Sequence, residues 1–448
     1  MKRTFQSTCS DYTHDGMGIV KSNRKPVFIE NIIKGEKVEY TITKSFKDYD
    51  LGELVKIIDA SNSRVKPICP IFKNCGGCAL QHMNYQEQLS FKKNHVKECL
   101  AKIAKVNITV EDCLGMEQPY FYRNKIQVPF AMKKGKIDYG FYKKGTHDIV
   151  SMKNCFLQED LVDNILRTIK DVFNKHKLRA YDEDKKVGIL RNVLIKRAFS
   201  TNETMVVLVT NVDNFPKRKE VVKDILKNHR EVKTIVQNIN SRTTNVILGE
   251  EEKVLFGKGY IEDVLLGVKY RISAKSFYQV NPVQTEVLYT KAIELAQLNK
   301  KDRVIDAYCG IGSISLALAK HVKEVIGVEI VKDAVIDARN NAKYNDIKNA
   351  NFILDDAAKF MLELSKSGEK IDVVFTDPPR KGCDQVFLDS LLELRPKKII
   401  YISCNPSTLA RDLLTLKKDY QINKVLPVDM FPQTHHVECV ALLQRKNP

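Results

Sequence analysis

Arg303-Val304-Ile305-Asp306-Ala307-Tyr308-Cys309-Gly310-Ile311-Gly312-Ser313 reads as a buried strand running into a glycine turn. A short apolar helix over residues 314–320 follows, and a second strand over 324–328 ends in the acid Glu329. Strand, glycine turn, helix, strand and acid form a nucleotide-binding βαβ unit. Its glycines let the backbone approach a ligand, and its acid can accept from ribose hydroxyls. A dinucleotide fingerprint asks for a third glycine where this chain has Ser315. The turn therefore points to a nucleoside without pyrophosphate, such as S-adenosylmethionine.

Downstream, two more strands bring chemistry to the same edge. Residues 371–376 run into Asp377-Pro378-Pro379-Arg380, where the prolines hold the loop and present Asp377 rigidly. Ile399-Ile400-Tyr401-Ile402 reads as a buried strand delivering Ser403-Cys404-Asn405-Pro406, and Asn405-Pro406 turns the chain straight after the thiol. Tyr308, Asp377 and Cys404 thus fall at the carboxyl ends of three strands, with Glu329 alongside. Open α/β sheets bind their ligands at that edge. Near the C-terminus Glu438 opens an apolar run over 439–443.

A thiol, a carboxylate and a methyl donor suit one reaction. The pyrimidine C5 carbon is a weak nucleophile until a thiolate adds at C6 and turns the ring into an enolate. After C5 has taken the methyl group, a base must remove the C5 proton so that the thiol can leave. Cys404 is the candidate nucleophile, Glu438 the candidate base, and Asp377 a group that orients the uracil edge. A lone cysteine is ordinarily a small buried hydrophobe, but the turn after Cys404 and the carboxylates at its edge favour chemistry.

The N-terminal region has a different texture. Residues 1–58 hold short alternating strands separated by Gly and Asp-Gly turns, which predicts a small OB-like β-barrel able to bind nucleic acid. Cys69, Cys75 and Cys78 come next at C-x5-C-x2-C spacing, with Gly76 and Gly77 allowing a tight fold. Three thiolates are one short of a closed metal site, and Cys155 is the candidate fourth. Spacing leaves zinc and iron–sulfur both open. Cys9, Cys99, Cys113 and Cys439 receive no role. Residues 85–105 read as an amphipathic, lysine-bearing helix. Tyr120–Lys125 and Tyr139–Lys144 interleave aromatics with positive charge, a pattern able to stack bases and hold phosphates. Residues 160–270 alternate helix and strand patterns.

At 448 residues, two or three domains are expected: 1–58, 59–275 and 276–448. Lysine and arginine outnumber acids 73 to 55, a formal charge of +18, which favours a polyanionic partner. No apolar run reaches the ~20 residues of a membrane span, and Met1-Lys2-Arg3-Thr4 lacks the apolar start of a secretory signal. A cytoplasmic monomer is expected, since no long apolar face stands out.

Taken together, these residues resemble the S-adenosylmethionine-dependent RNA uracil-5-methyltransferases, and within them the 23S rRNA branch. The stretch around His14-Asp15-Gly16-Met17-Gly18 resembles that branch's N-terminal TRAM domain. Phe277-Tyr278-Gln279-Val280-Asn281 resembles its aromatic-Gln-Val-Asn segment. Ser403-Cys404-Asn405-Pro406 with Thr408–Asp412 resembles the nucleophile motif, and His436-Val437-Glu438 the base motif. The resemblance implies a multi-domain α/β fold with a TRAM barrel, a central α/β domain and a Rossmann-like class I methyltransferase domain. It implies donor contacts from Gln279, Tyr308, Glu329 and Asp377, and a [4Fe-4S] cluster on Cys69, Cys75, Cys78 and Cys155. It implies a 23S rRNA substrate, because the tRNA branch lacks those cysteines and the barrel. Ser313 stands where the rRNA members often have Asn. Two rivals remain. An amino-methyltransferase resembles the chain at Asp377-Pro378-Pro379, but its fourth, aromatic residue is Arg380 here. A non-catalytic RNA-binding or assembly factor would have no need of Cys404 and Glu438.

Overall fold

The computed structural model describes residues 3–446, except 23, 24, 144, 147, 244 and 245. Met1 and Lys2 at the N-terminus, and Lys144 at the end of the second aromatic-basic stretch, therefore lie outside the described residues.

Five strands, Thr4–Tyr12, Gly18–Lys21, Pro26–Ile29, Lys37–Ser45 and Asp50–Asp59, close into a barrel. Alternation in the third and fourth strands puts Val27, Ile29, Val38 and Tyr40 into its small core. The barrel is fastened to the segment after it. Arg64 makes a charge-assisted pair with the buried Glu36, Nε to Oε1 at 2.5 Å, and Tyr12 donates to Glu87 Oε1 at 2.7 Å.

Residues 69–78 form turns, as the glycines and the proline require. The helix predicted over 85–105 is Tyr85–Cys99 continued by one π-turn, Leu100–Ala104, and Asn84 caps it by accepting from Glu87 N. It packs on the far side of the chain: Val96, Cys99, Leu100 and Ala104 share a core with Leu409, Leu413 and Val425. The middle of the chain builds a seven-stranded sheet from Lys125–Lys133, Lys136–Tyr142, Ile149–Ser151, Leu190–Arg197, Thr204–Thr210, Val232–Ile239 and Glu251–Phe256, covered by helices Asp160–Lys175 and Arg218–Asn228. The hairpin Tyr260–Leu265 and Val268–Ser273 then bonds to the C-terminal part, with Arg271 N donating to Asn341 and Tyr270 OH to Ser313 O.

The C-terminal sheet has spatial order Ala350–Leu354, Glu324–Glu329, Arg303–Ala307, Val373–Thr376, Lys398–Ser403, Glu438–Arg445, Tyr420–Val428. The first five strands are parallel, and Glu438–Arg445 runs antiparallel to both its neighbours. Strand order reverses between Arg303–Ala307 and Val373–Thr376, which opens a crevice at their carboxyl ends. The antiparallel insertion has one chemical consequence. Glu438 starts its strand beside the end of Lys398–Ser403, so base and nucleophile candidates reach the same edge from opposite chain directions. Among the described residues, no helix is long and apolar enough to cross a membrane.

Candidate active site

A cavity of about 910 Å3 occupies that crevice, and Gln279, Tyr308, Glu329, Asp377, Cys404 and Glu438 all line it. One part is shaped for a nucleoside. Gly310, at φ 55°, faces open space, so a Cβ there would project into the room a ligand needs. Glu329 accepts from Gly310 N at 3.0 Å and from Val331 N at 2.8 Å, which fixes its carboxylate and leaves lone pairs for ribose hydroxyls. Tyr308 leaves the strand in left-handed backbone, φ 65°, and its ring packs against Phe387. Asn124 holds the Gln279 segment by donating to Gln279 O at 2.9 Å.

Cys404 lies between the strand end and helix Pro406–Leu416. Asn405 caps that helix, accepting from Ser407 N at 3.0 Å, and Pro406 opens it. The rest of the motif fastens this helix to the Asp377–Arg380 loop. Asp412, fully buried, accepts from Tyr401 OH at 2.6 Å and Cys383 N at 2.8 Å, while Thr408 donates to Arg380 O. Arg411 reaches the carbonyls of Lys381 and Cys383.

The charges around the thiol oppose one another. Burial pushes Cys404 up to about 11, with the carboxylates Glu438 and Asp377 adding to the rise and Arg380 resisting it. Burial also raises Glu438 well above the usual carboxylate range, and Asp377 adds to this while Arg380 again opposes it. Asp377 is raised by burial and then by Asp306. Arg380 is thus a cation acting on both Cys404 and Glu438, a residue that its motif position alone did not reveal. Neutralising or pairing these carboxyls at the moment of reaction is what the arrangement permits.

The loop leading to Glu438 is locked by residues far away in sequence. Lys92 and Asp429, both fully buried, pair at 2.5 Å, and Lys92 also donates to Phe431 O at 3.1 Å. Tyr85 donates to Asp429 Oδ2 at 2.8 Å. Asn281 donates to Met430 O at 3.0 Å, so the segment carrying Gln279 and the segment carrying Glu438 share a fastening.

Cys69, Cys75, Cys78 and Cys155 converge on a second, small cavity of about 40 Å3. Burial pushes Cys78 up to about 11 and Cys155 up to about 12. Among the described residues, no group of three or more His, Cys, Asp or Glu side chains is placed to hold a metal ion. The donor chemistry nevertheless suits an anionic cluster. Four soft sulfurs share the cavity with Arg123, a cation whose buried Nε has no hydrogen-bond partner.

The family model for tRNA (uracil-5-)-methyltransferase matches residues 84–446. The chain belongs to that family. An uncharacterized RNA methyltransferase of Listeria innocua is 46% identical over 99% of this chain and 98% of its own length. One of Clostridium acetobutylicum is 45% identical over 98% and 97%. The crystal structure of the Pyrococcus abyssi tRNA (uracil-54, C5)-methyltransferase with S-adenosyl-L-homocysteine superposes with a TM-score of 0.78 at 28% identity, covering 98% of this chain and 99% of that one. The enzyme is therefore an RNA uracil-5-methyltransferase that uses S-adenosylmethionine. One expectation is corrected here. Likeness to a tRNA enzyme over nearly the whole chain, barrel region included, removes the barrel as a ground for excluding tRNA.

Proposed function

We propose that the enzyme methylates C5 of uridine in 23S rRNA, with Cys404 as nucleophile and Glu438 as base. The observation that carries the mechanism is the meeting of Cys404, Glu438, Asp377 and Arg380 in one cavity with the nucleoside cradle. The bound donor supplies an electrophilic methyl group next to the uracil. Cys404 gives up its proton to solvent water, and the thiolate Sγ forms a bond to C6 while the C5–C6 π electrons shift toward C4 and the carbonyl π electrons onto O4. Arg380 favours this step by lowering the thiol from the value burial imposes. The enolate electrons return through C5, which forms its bond to the methyl carbon as the methyl–sulfonium bond breaks and its electron pair stays on the sulfur of S-adenosylhomocysteine. Glu438 takes the proton from C5, and the returning electrons re-form the C5–C6 double bond and expel the sulfur. A carboxylate made more basic by burial suits a carbon-bound proton. Asp377 orients the uracil edge, and Gln279, Tyr308 and Glu329 hold the donor.

In this reading the chain has three working units: a TRAM barrel over 1–58, a central domain over 59–275 and a Rossmann-like methyltransferase domain over 276–448. Cys69, Cys75, Cys78 and Cys155 hold a [4Fe-4S] cluster, with Arg123 as its buried counter-charge. Bound there, such a cluster would tie the loop at 69–78, through Cys69, Cys75 and Cys78, to Cys155. The working state is a cytoplasmic monomer. The four-cysteine set favours rRNA, while the Pyrococcus likeness favours tRNA as the second reading.

RNA carrying tritium at uracil C5 tests this directly. Tritium released in step with methyl incorporation from 23S rRNA is expected. Release from tRNA alone moves the substrate to the second reading, and methylation without release defeats the mechanism.

A further inference from the structure

A third cavity, about 340 Å3, adjoins the catalytic one. Its walls come from the barrel residues Asp15–Met17 with Glu30 and Asn31, the cysteine loop from Phe72 to Ala79, Arg123, and Thr434–His436. His436 lines both cavities, so they meet at that ring. The walls are held together by specific bonds. Gln433, in left-handed backbone at φ 70°, offers its carbonyl to the N–H groups of Ala79 at 2.9 Å and Leu80 at 3.0 Å. Gln88 closes the arrangement, accepting from Gln433 N and donating to Gln433 Oε1, both at 3.0 Å. From the barrel, Gly16 approaches so closely that a Cβ would come within 2.7 Å of Leu80.

The lining is mixed in charge, with Asp15 and Glu30 against Lys73 and Arg123, and it adds a pair of aromatic rings that can stack a base. His435 and His436 lie with ring centroids 4.2 Å apart, and burial lowers the affinity of both for a proton, which leaves uncharged rings for stacking. The carboxylate of Asp15 accepts from Thr13 and would repel a phosphate but can accept a base N–H. On the cysteine side, the unpartnered Nε belongs to Arg123, which also lines this cavity. Extruding a uridine leaves its neighbour without a stacking partner, and a ring pair beside the entrance can replace that loss.

We propose that this cavity receives the base of a nucleotide flanking the target uridine, stacked on His435 and read by Asp15. The cavity then decides which RNA sequence is methylated. This rests on the uridine-methylating reading of the Cys404 site.

The test uses the full-length enzyme and a ligated transcript that it methylates, tritiated at the target C5. Nucleotides on each side of the target are replaced singly by abasic residues. At one position, kcat/KM should fall about tenfold or more, the loss lying mainly in KM. His435→Ala should lose a similar factor on the intact RNA and show no further loss on that abasic RNA. Asp15→Lys, altering the wall from the barrel side, should weaken the same position, with unchanged thermal melting as the folding control. Losses that multiply at every position, or two well-folded variants with unaltered KM, would overturn the proposal. No tritium release from any RNA would instead defeat the underlying catalytic reading.

Discussion

Two sets of thiols in this protein share a cause and differ in company. Burial pushes Cys404 up to about 11, Cys78 up to about 11 and Cys155 up to about 12. Around Cys404 stand two carboxyls and Arg380, groups that can take a proton and stabilise the thiolate. Around the other set stand further thiols, the buried Arg123 and, beside Cys155 alone, the carboxyl of Asp163. A single thiol beside proton acceptors suits reversible addition to a ring, since it must attack and later leave. Four thiols around one cation suit a positive, sulfur-seeking centre, because only such a charge can hold them all deprotonated. The raised thiol value is therefore not what distinguishes a nucleophile from a ligand. Its neighbours are.

Cys404→Ala should break the comparison most severely. Tritium release should fall by a factor on the order of 10^4 or more, with RNA affinity kept within a few-fold in a filter-binding titration. Turnover by this variant would return Cys404 to the class of buried hydrophobes. Next in size is Glu438→Gln, which removes the base but keeps the shape. Turnover should drop by about 10^2–10^4, and a methylated RNA–protein adduct should persist on a denaturing gel, because sulfur cannot leave until the C5 proton does. Loss of activity without an adduct would place Glu438 earlier in the reaction.

Arg380→Gln should have a smaller effect with a definite sign. Arg380 lowers the Cys404 value, so its removal raises that value and reduces the thiolate fraction at every pH below it. Single-turnover adduct formation should slow by about tenfold near pH 8 and recover as pH rises. A parallel, pH-independent loss would make Arg380 an RNA contact instead. Cys155→Ala sharpens the other half of the comparison. Iron and sulfide measured after anaerobic purification should be lost and the melting temperature lowered, while the Cys404 adduct still forms. One zinc per chain in the unaltered protein, without iron, would refute the cluster.

Much of the site was legible before folding because its parts are local. Gly310 and Gly312 announce a turn, Pro378 and Pro379 a fixed loop, and Asn405-Pro406 the start of a helix, each through backbone geometry spanning a few residues. Apolar periodicity likewise located four of the barrel strands and four of the parallel strands, but not Thr4–Tyr12, whose outward faces are polar, nor the edge strand Ala350–Leu354. Alternation could not show that Tyr308 would leave its strand at positive φ, because that depends on packing against Phe387.

The amino-acid sequence by itself marked out the nucleotide-binding unit, the candidate nucleophile, the candidate base and the candidate cysteine set, since each is written in neighbouring residues. Tertiary structure alone decided which of them meet. The antiparallel insertion of Glu438–Arg445 beside Lys398–Ser403 brings Glu438 to the sheet edge that carries Cys404. Lys92 finds Asp429 across 337 positions, and breaking that buried pair would cost about 3–5 kcal/mol. Arg380 acquires its role only when Cys404 and Glu438 face it. Such pairings arise from strand order and the fit of distant faces, which no short stretch of chain encodes.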